Sequence, residues 1–219
     1  MSDFTQTDRT TIHRRSDRSS YDRDTILAIL DEALLCHVGF TVEGQSRIIS
    51  TTYGRRGNAI YFHGAQESGF MKALRHGMEA CVAVTLLDGL VLARSAFNHS
   101  MNYRSVIMYG TASELTEDEE KLAGLKTIVE HVIPGRWEDT RRPSDSELYG
   151  TAVFSFPIVE VSAKIQQSPP HDNQADYQLD YWAGQIPLVL QPQPPIDDPL
   201  LKAEITAPSY VTNYRRSTS

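Results

Sequence analysis

Hydrophobic positions change period repeatedly along this chain, and the changes mark out a run of short elements. Residues 1–20 show no apolar period and read as a polar arm. From Asp22, which can cap a helix, Ile26, Ile29, Leu30, Ala33 and Leu34 recur at helical spacing. The period then turns β-like. Cys36 to Val42 predicts a strand, Gly44-Gln45 a turn, Arg47 to Tyr53 a second strand, 54–58 a turn and Ala59 to His63 a third strand. A short helix is predicted over Ser68 to His76, with Ser68 as its cap, Gly77 at its end and Phe70, Met71 and Leu74 facing inward.

Ala80 to Leu86 and Leu90 to Ser95 are expected to pair as a hairpin around Asp88-Gly89. Tyr103 to Leu115 predicts a long strand. Thr116, with Glu119 three residues on, carries a capping-box signature for a helix running to Val132. Ser144 can cap a short helix over Asp145 to Tyr149, and Thr151 to Lys164 predicts a final long strand. Six or more strands in meander order, with a few helices, give a mainly β fold: a small closed antiparallel β-barrel with peripheral α-helices. Nine of the eleven prolines lie from Pro157 onward. The chain therefore divides into a polar arm (1–20), a barrel domain (21–165) and a proline-rich extension (166–219) draped on the barrel.

Composition narrows the function classes. Of 219 residues 40% are hydrophobic, enough for a core. The 21 Lys+Arg against 28 Asp+Glu leave a net charge of −7, which argues against nucleic acid as the general partner. No stretch of about 18 apolar residues predicts a membrane span, and the polar N-terminal stretch has no apolar segment of a signal peptide. Cys36 and Cys81 are isolated in apolar runs and read as buried free thiols, so a cytoplasmic setting is expected. No dinucleotide-binding glycine motif, phosphate-binding loop, zincin motif or nucleophile elbow is present, and the histidine spacing supports no metal site.

Three segments carry candidate chemistry. Tyr61 to Lys72 runs from a strand through Gly64 into a helix start, and its unpaired amides with Lys72 can take an anion; an ordinary capped surface helix with an exposed lysine is the plainer local reading. Arg94 to Ser105 is dense in donors, and Arg104 or Ser105 should point into the barrel, where an arginine needs a carboxylate or a phosphate. In Arg47 to Tyr53, Ser50 and Thr52 share one face of a strand able to offer hydroxyl and backbone groups to a planar heterocycle.

Tyr61-Phe62-His63-Gly64-Ala65 followed by Lys72-Ala73-Leu74, Asp88-Gly89-Leu90-Val91, Asn102-Tyr103-Arg104-Ser105-Val106 followed by Gly110, Pro134-Gly135-Arg136-Trp137 and Tyr181-Trp182-Ala183-Gly184 occur in an order that resembles one family. It is that of the pyridoxamine 5′-phosphate oxidase-like FMN-binding split barrels, in the flavin-nucleotide-binding or nitroimidazole-resistance-related branch. The resemblance implies a six-stranded split β-barrel, a homodimer with FMN at the interface and a small-molecule substrate. It implies that Ile48, Ile49, Ser50, Thr51 and Thr52 lie along the isoalloxazine ring. Phe62, His63, Gly64 and Lys72 would bind the ribityl-phosphate side, with Asn102, Tyr103, Arg104, Ser105 and Trp182 approaching the same flavin.

His99 is the loop candidate for a catalytic proton transfer or substrate contact. Where the oxidase branch follows its tryptophan-glycine pair with Arg-Leu-His, this chain has Gln185-Ile186-Pro187, so the resemblance does not extend to pyridoxamine-phosphate oxidation. The expected activity is an oxidoreductase passing electrons through FMN; the alternative is a non-catalytic module that binds or stores a flavin or haem.

Overall fold

A computed structural model describes residues 2–216. Its strands are β1 (Ser19–Ser20), β2 (Leu35–Val42), β3 (Gln45–Thr52), β4 (Gly54–Arg56), β5 (Ala59–Ala65), β6 (Glu79–Leu92), β7 (Ser100–Thr111), β8 (Ser113–Glu114), β9 (Thr151–Pro157), β10 (Glu160–Gln166) and β11 (Gly184–Pro187). The helices are α1 (Arg23–Glu32), α2 (Gly69–Arg75), α3 (Asp118–Val132), α4 (Asp145–Tyr149) and α5 (Ser209–Thr212). None of the helices among the described residues is long and apolar enough to cross a membrane.

One sheet has the order β1-β10-β7-β6-β2-β3, with β11 also on β6; the other runs β4-β5-β9-β8. The two sheets share chains. β3 and β4 are separated by Tyr53 alone, and β9 and β10 by Ile158 and Val159. If each pair is taken as one bent strand, every neighbour is hydrogen-bonded and the circuit returns to its start. The fold is a six-stranded antiparallel split barrel, mainly β, which is how it avoids open edges around most of its wall.

The bends are made by core residues. Tyr53 is fully buried and its hydroxyl donates to the Leu30 carbonyl at 2.6 Å, tying the β3–β4 corner to the end of α1. Phe62 lies between Phe70 and Phe156, with ring centroids 6.2 Å away in both cases, and Phe154 completes the aromatic core. Gly54 is where α3 lies against the barrel: a Cβ there would sit 2.4 Å from the Thr127 carbonyl oxygen.

Several predicted caps form. Asp22 accepts the Thr25 N–H at 2.7 Å, Ser68 accepts that of Met71 at 3.2 Å, and Ser144 with Glu147 makes a capping box. Thr116 does not cap α3. Leu115 N–H is still bonded to Val153 in the sheet, so the helix begins later, with Glu117 as N-cap. The expected hairpin at Asp88-Gly89 is absent. β6 runs unbroken through it with a bulge between Leu87 and Gly89, and the chain reverses in the loop after Leu92 instead. Gly89 has another use: a Cβ on it would lie 2.9 Å from the Ile186 carbonyl oxygen, so its bareness lets β11 take the place beside β6 beyond the end of β2. The expected strand Thr151 to Lys164 is the bent β9–β10 pair.

Both extensions touch the barrel. In the arm, Thr10 is buried, Thr7 Oγ1 donates to Glu160 Oε1 at 2.6 Å and Arg9 ion-pairs with Glu79 and Glu160. At the other end, Leu188 N–H donates to the Asp88 carbonyl at 3.0 Å; Val189, Leu190, Ile196 and Leu200 are then exposed, until Tyr210 engages Arg136 and Asp139.

Candidate functional site

β3 is the barrel's most exposed strand and forms one end of the larger sheet, hydrogen-bonded to β2 on one side only. Its Ser46, Ile48, Ser50 and Thr52 stand on the outer face of the sheet, opposite Thr41, Gly39, His37 and Leu35 of β2. Ile49 and Thr51 alternate onto the other face. Ile48 is 71% exposed, which is unusual for a β-branched residue in a sheet. A cleft of about 460 Å³ runs here, lined by Ser46, Arg47 and Ile48 with Thr41, Cys81 and Tyr109. The outward backbone edge of β3 and the hydroxyls of Ser50 and Thr52 can meet a planar heterocycle along this strand.

Sequence grouped other residues with these, and the structure separates them. β7 is three strand positions away from β3, about 14 Å at ordinary sheet spacing. Tyr103 and Ser105 face outward there, with Ser105 Oγ donating to the Lys164 carbonyl at 3.3 Å. Asn102 is buried and already used: its Nδ2 donates to Gln185 Oε1 at 3.0 Å, and its Oδ1 accepts the Ser168 N–H at 3.1 Å. Trp182, exposed, precedes β11 and lies over Gly184, whose added Cβ would be 2.7 Å from its ring.

Arg104 needs correcting as a phosphate ligand. Its guanidinium faces two carboxylates, donating to Glu32 at 2.6 and 2.8 Å and to Asp88 at 2.9 and 2.8 Å. Bonds to both acids raise its already high pKa. Of the two partners left open by sequence, carboxylate is the one found. One cation against two anions leaves this cluster net negative, which disfavours a phosphate beside it.

Phe62 is also corrected, because its side chain is fully buried among core aromatics and does not reach a surface ligand. His63, the next residue, points outward and is exposed. Crowding around the ring pushes its pKa down, keeping the imidazole neutral. Gly64 is filled by Met71, whose methyl would sit 2.8 Å from a Cβ there. Lys72 is half exposed and ion-paired to Glu67 at 2.7 Å.

His99 is exposed in the β6–β7 loop, and its Nδ1 accepts the Ala93 N–H at 3.2 Å. In the neutral ring, accepting at Nδ1 places the proton on Nε2. Asp172, which sequence reading missed, organises the same loop by accepting from the Arg94 and Ser95 amides. Burial pushes the Cys36 thiol up to about 12, so it is inert.

Comparison with known proteins agrees with this architecture. A family model described as pyridoxamine 5′-phosphate oxidase matches residues 22–165. No curated protein sequence matches the chain. Among solved structures, the flavocytochrome Anf3 from Azotobacter vinelandii is 38% identical, with a TM-score of 0.91 over 96% of this chain and 98% of that one. The FAD and haem binding protein from Mycobacterium smegmatis is 31% identical, with a TM-score of 0.86 over 90% and 96%. Both likenesses extend beyond the barrel into the arm or the C-terminal extension. The chain belongs to the pyridoxamine 5′-phosphate oxidase-like split-barrel family.

Proposed function

We propose that this protein is a flavin-binding redox protein and that its flavin is FAD. The observation carrying this reading is the 38% identity to a flavocytochrome over 96% of the chain, beside a second relative whose name states FAD and haem. FMN, which the barrel motifs resemble, is the shorter alternative. The exposed strand β3, with one backbone edge outside the ladder, fits the isoalloxazine ring. A bound flavin supplies reversible one- and two-electron chemistry; the protein binds and orients it.

In this reading the β3 amides and the hydroxyls of Ser50 and Thr52 align the ring, and Ile48 packs on it. Lys72 exchanges Glu67 for a phosphate if the ligand reaches α2. His99 holds a proton at Nε2 beside the β6–β7 loop. The candidate residues lie too far apart on one chain to surround a single ring, and Leu35, Ile48, Leu87 and Ile107 leave apolar surface exposed on the outer face of the sheet. Both features support a homodimer with the site shared across its interface. A second reading adds haem, favoured by the neutral imidazole of His63 and the exposed one of His37. Neither ring has a hydrogen-bond partner among the described residues, so either imidazole nitrogen would be available to hold a haem iron.

The test is the absorption spectrum of the purified protein, identification of the released cofactor by mass, and light scattering for the assembly. FAD with a particle of twice 24.6 kDa is the expected result. A Soret band lost in His63→Ala or His37→Ala supports the haem reading. A colourless protein that takes up neither FAD nor FMN overturns the proposal.

A further inference from the structure

A second cleft, about 510 Å³, lies where the N-terminal arm crosses the end of β10 and the β6–β7 loop. Arg14, Arg15, Arg18 and Lys164 line it together with His171 and Phe97, and among the described residues no carboxylate does. An adjoining hollow shares Arg15, Arg18 and His171 and brings in one acid, Asp17. Among the described residues none of the four cations has an ion-pair partner. By contrast, Arg9, Arg55, Arg75, Arg94 and Arg104 each hold a carboxylate.

In a chain of net charge −7, four neighbouring cations beside a single acid, Asp17, repel one another, and a bound anion relieves that repulsion. Arg15 sits at φ 60°, ψ 52°, a left-handed conformation disfavoured for a residue with a side chain, so the turn presenting these arginines is not a relaxed one. At the lip Phe97 is 92% exposed, its ring open to stacking. The volume lies in the usual range for small-ligand sites, about 300–1,000 Å³. Adjacent phosphates want several fork-shaped guanidinium donors, and a heteroaromatic base wants an aromatic face; this cleft offers both.

We infer that the cleft binds the diphosphate of a nucleotide, with the phosphates on Arg14, Arg15, Arg18 and Lys164 and the base against Phe97. This cleft shares no lining residue with the β3 cleft, although His99 is on its wall; a free nucleotide here does not depend on the flavin reading, whereas a resident dinucleotide rests on it. The diphosphate has two sources, a freely diffusing nucleotide or the adenylate half of a resident dinucleotide.

Calorimetric titration of the purified full-length protein with ADP and with adenosine, repeated on Arg14→Ala/Arg18→Ala, tests it. FAD and FMN content and uptake are measured on both proteins. The four cations bridge nothing in the fold, so the variant should melt like the wild type; Arg14→Lys/Arg18→Lys should keep most of the binding. ADP binding that weakens at least about tenfold in the alanine variant, with adenosine weak throughout, supports a diffusing nucleotide. Wild type that carries FAD and refuses ADP, with a variant that takes up FMN normally and FAD at least about tenfold more weakly, supports the resident dinucleotide. ADP binding unchanged in the variant overturns the inference. So does absent ADP binding together with unchanged FAD and FMN uptake. A colourless protein whose ADP binding falls in the variant keeps this inference and removes the flavin reading.

Discussion

Asp172 Oδ2 accepts the backbone N–H of Arg94 at 3.0 Å, while its other oxygen accepts that of Ser95 at 3.2 Å. A side chain from the C-terminal extension thus serves as the turn-former for a loop nearly eighty positions earlier. Those amides hold the carboxyl below the usual carboxylate range. Asp172→Ala leaves two amides without their acceptor and should lower Tm by several degrees, with faster hydrogen exchange at Arg94 and Ser95 than elsewhere. Unchanged exchange at those two amides would show that the loop is held by other contacts.

Arg104 should behave as a structural residue. Arg104→Ala leaves Glu32 and Asp88 facing one another with little solvent, at a cost of about 3–5 kcal/mol in denaturant melts. Arg104→Ala/Glu32→Gln should recover part of that loss. Selective loss of flavin from a fully stable Arg104→Ala protein would restore a ligand role for this residue.

His131 sets a lower pH boundary. Its Nε2 lies 2.7 Å from the Ala33 carbonyl, its ring lies 4.9 Å from that of Tyr53, and burial pushes its pKa below 6.5. Below that pH the unfolded chain binds a proton the folded chain resists, so stability present above 6.5 is lost as pH falls. The denaturant midpoint should drop between about pH 7.5 and 5.5, and by less in His131→Asn. His63 titrates in the same direction, so the difference between the two proteins is the informative quantity.

Gly54→Ala tests the contact between barrel and α3. The new Cβ would meet the Thr127 carbonyl oxygen at 2.4 Å, a backbone atom that cannot swing aside. A loss of about 1–3 kcal/mol in thermal or urea unfolding is expected.

Local physics was legible in the sequence where a few adjacent residues decide the outcome. Asp22, Ser68 and Ser144 cap the helices expected of them, and the strand periods gave the barrel class. Asp88-Gly89 misled because the same dipeptide that favours a hairpin also suits a bulge; the choice was made by β11, nearly a hundred residues away. The fate of Arg104 was equally remote, since Glu32 lies 72 positions from it. The basic cleft joins an arm, a loop and a strand end, and no window along the chain contains all three. Phe62 beside His63 shows the finer limit: alternation places one in and one out, but only the closed barrel fixes which.

The stretch between Leu188 and Ser209 also offers an engineering handle. It is fastened to the barrel through Leu188 at one end and Tyr210 at the other, with its middle exposed. A span anchored at both ends tolerates added length cheaply, about 0.6 kcal/mol for each doubling of a flexible loop. An epitope or affinity tag spliced near Ile196 would leave both anchors and the barrel circuit in place.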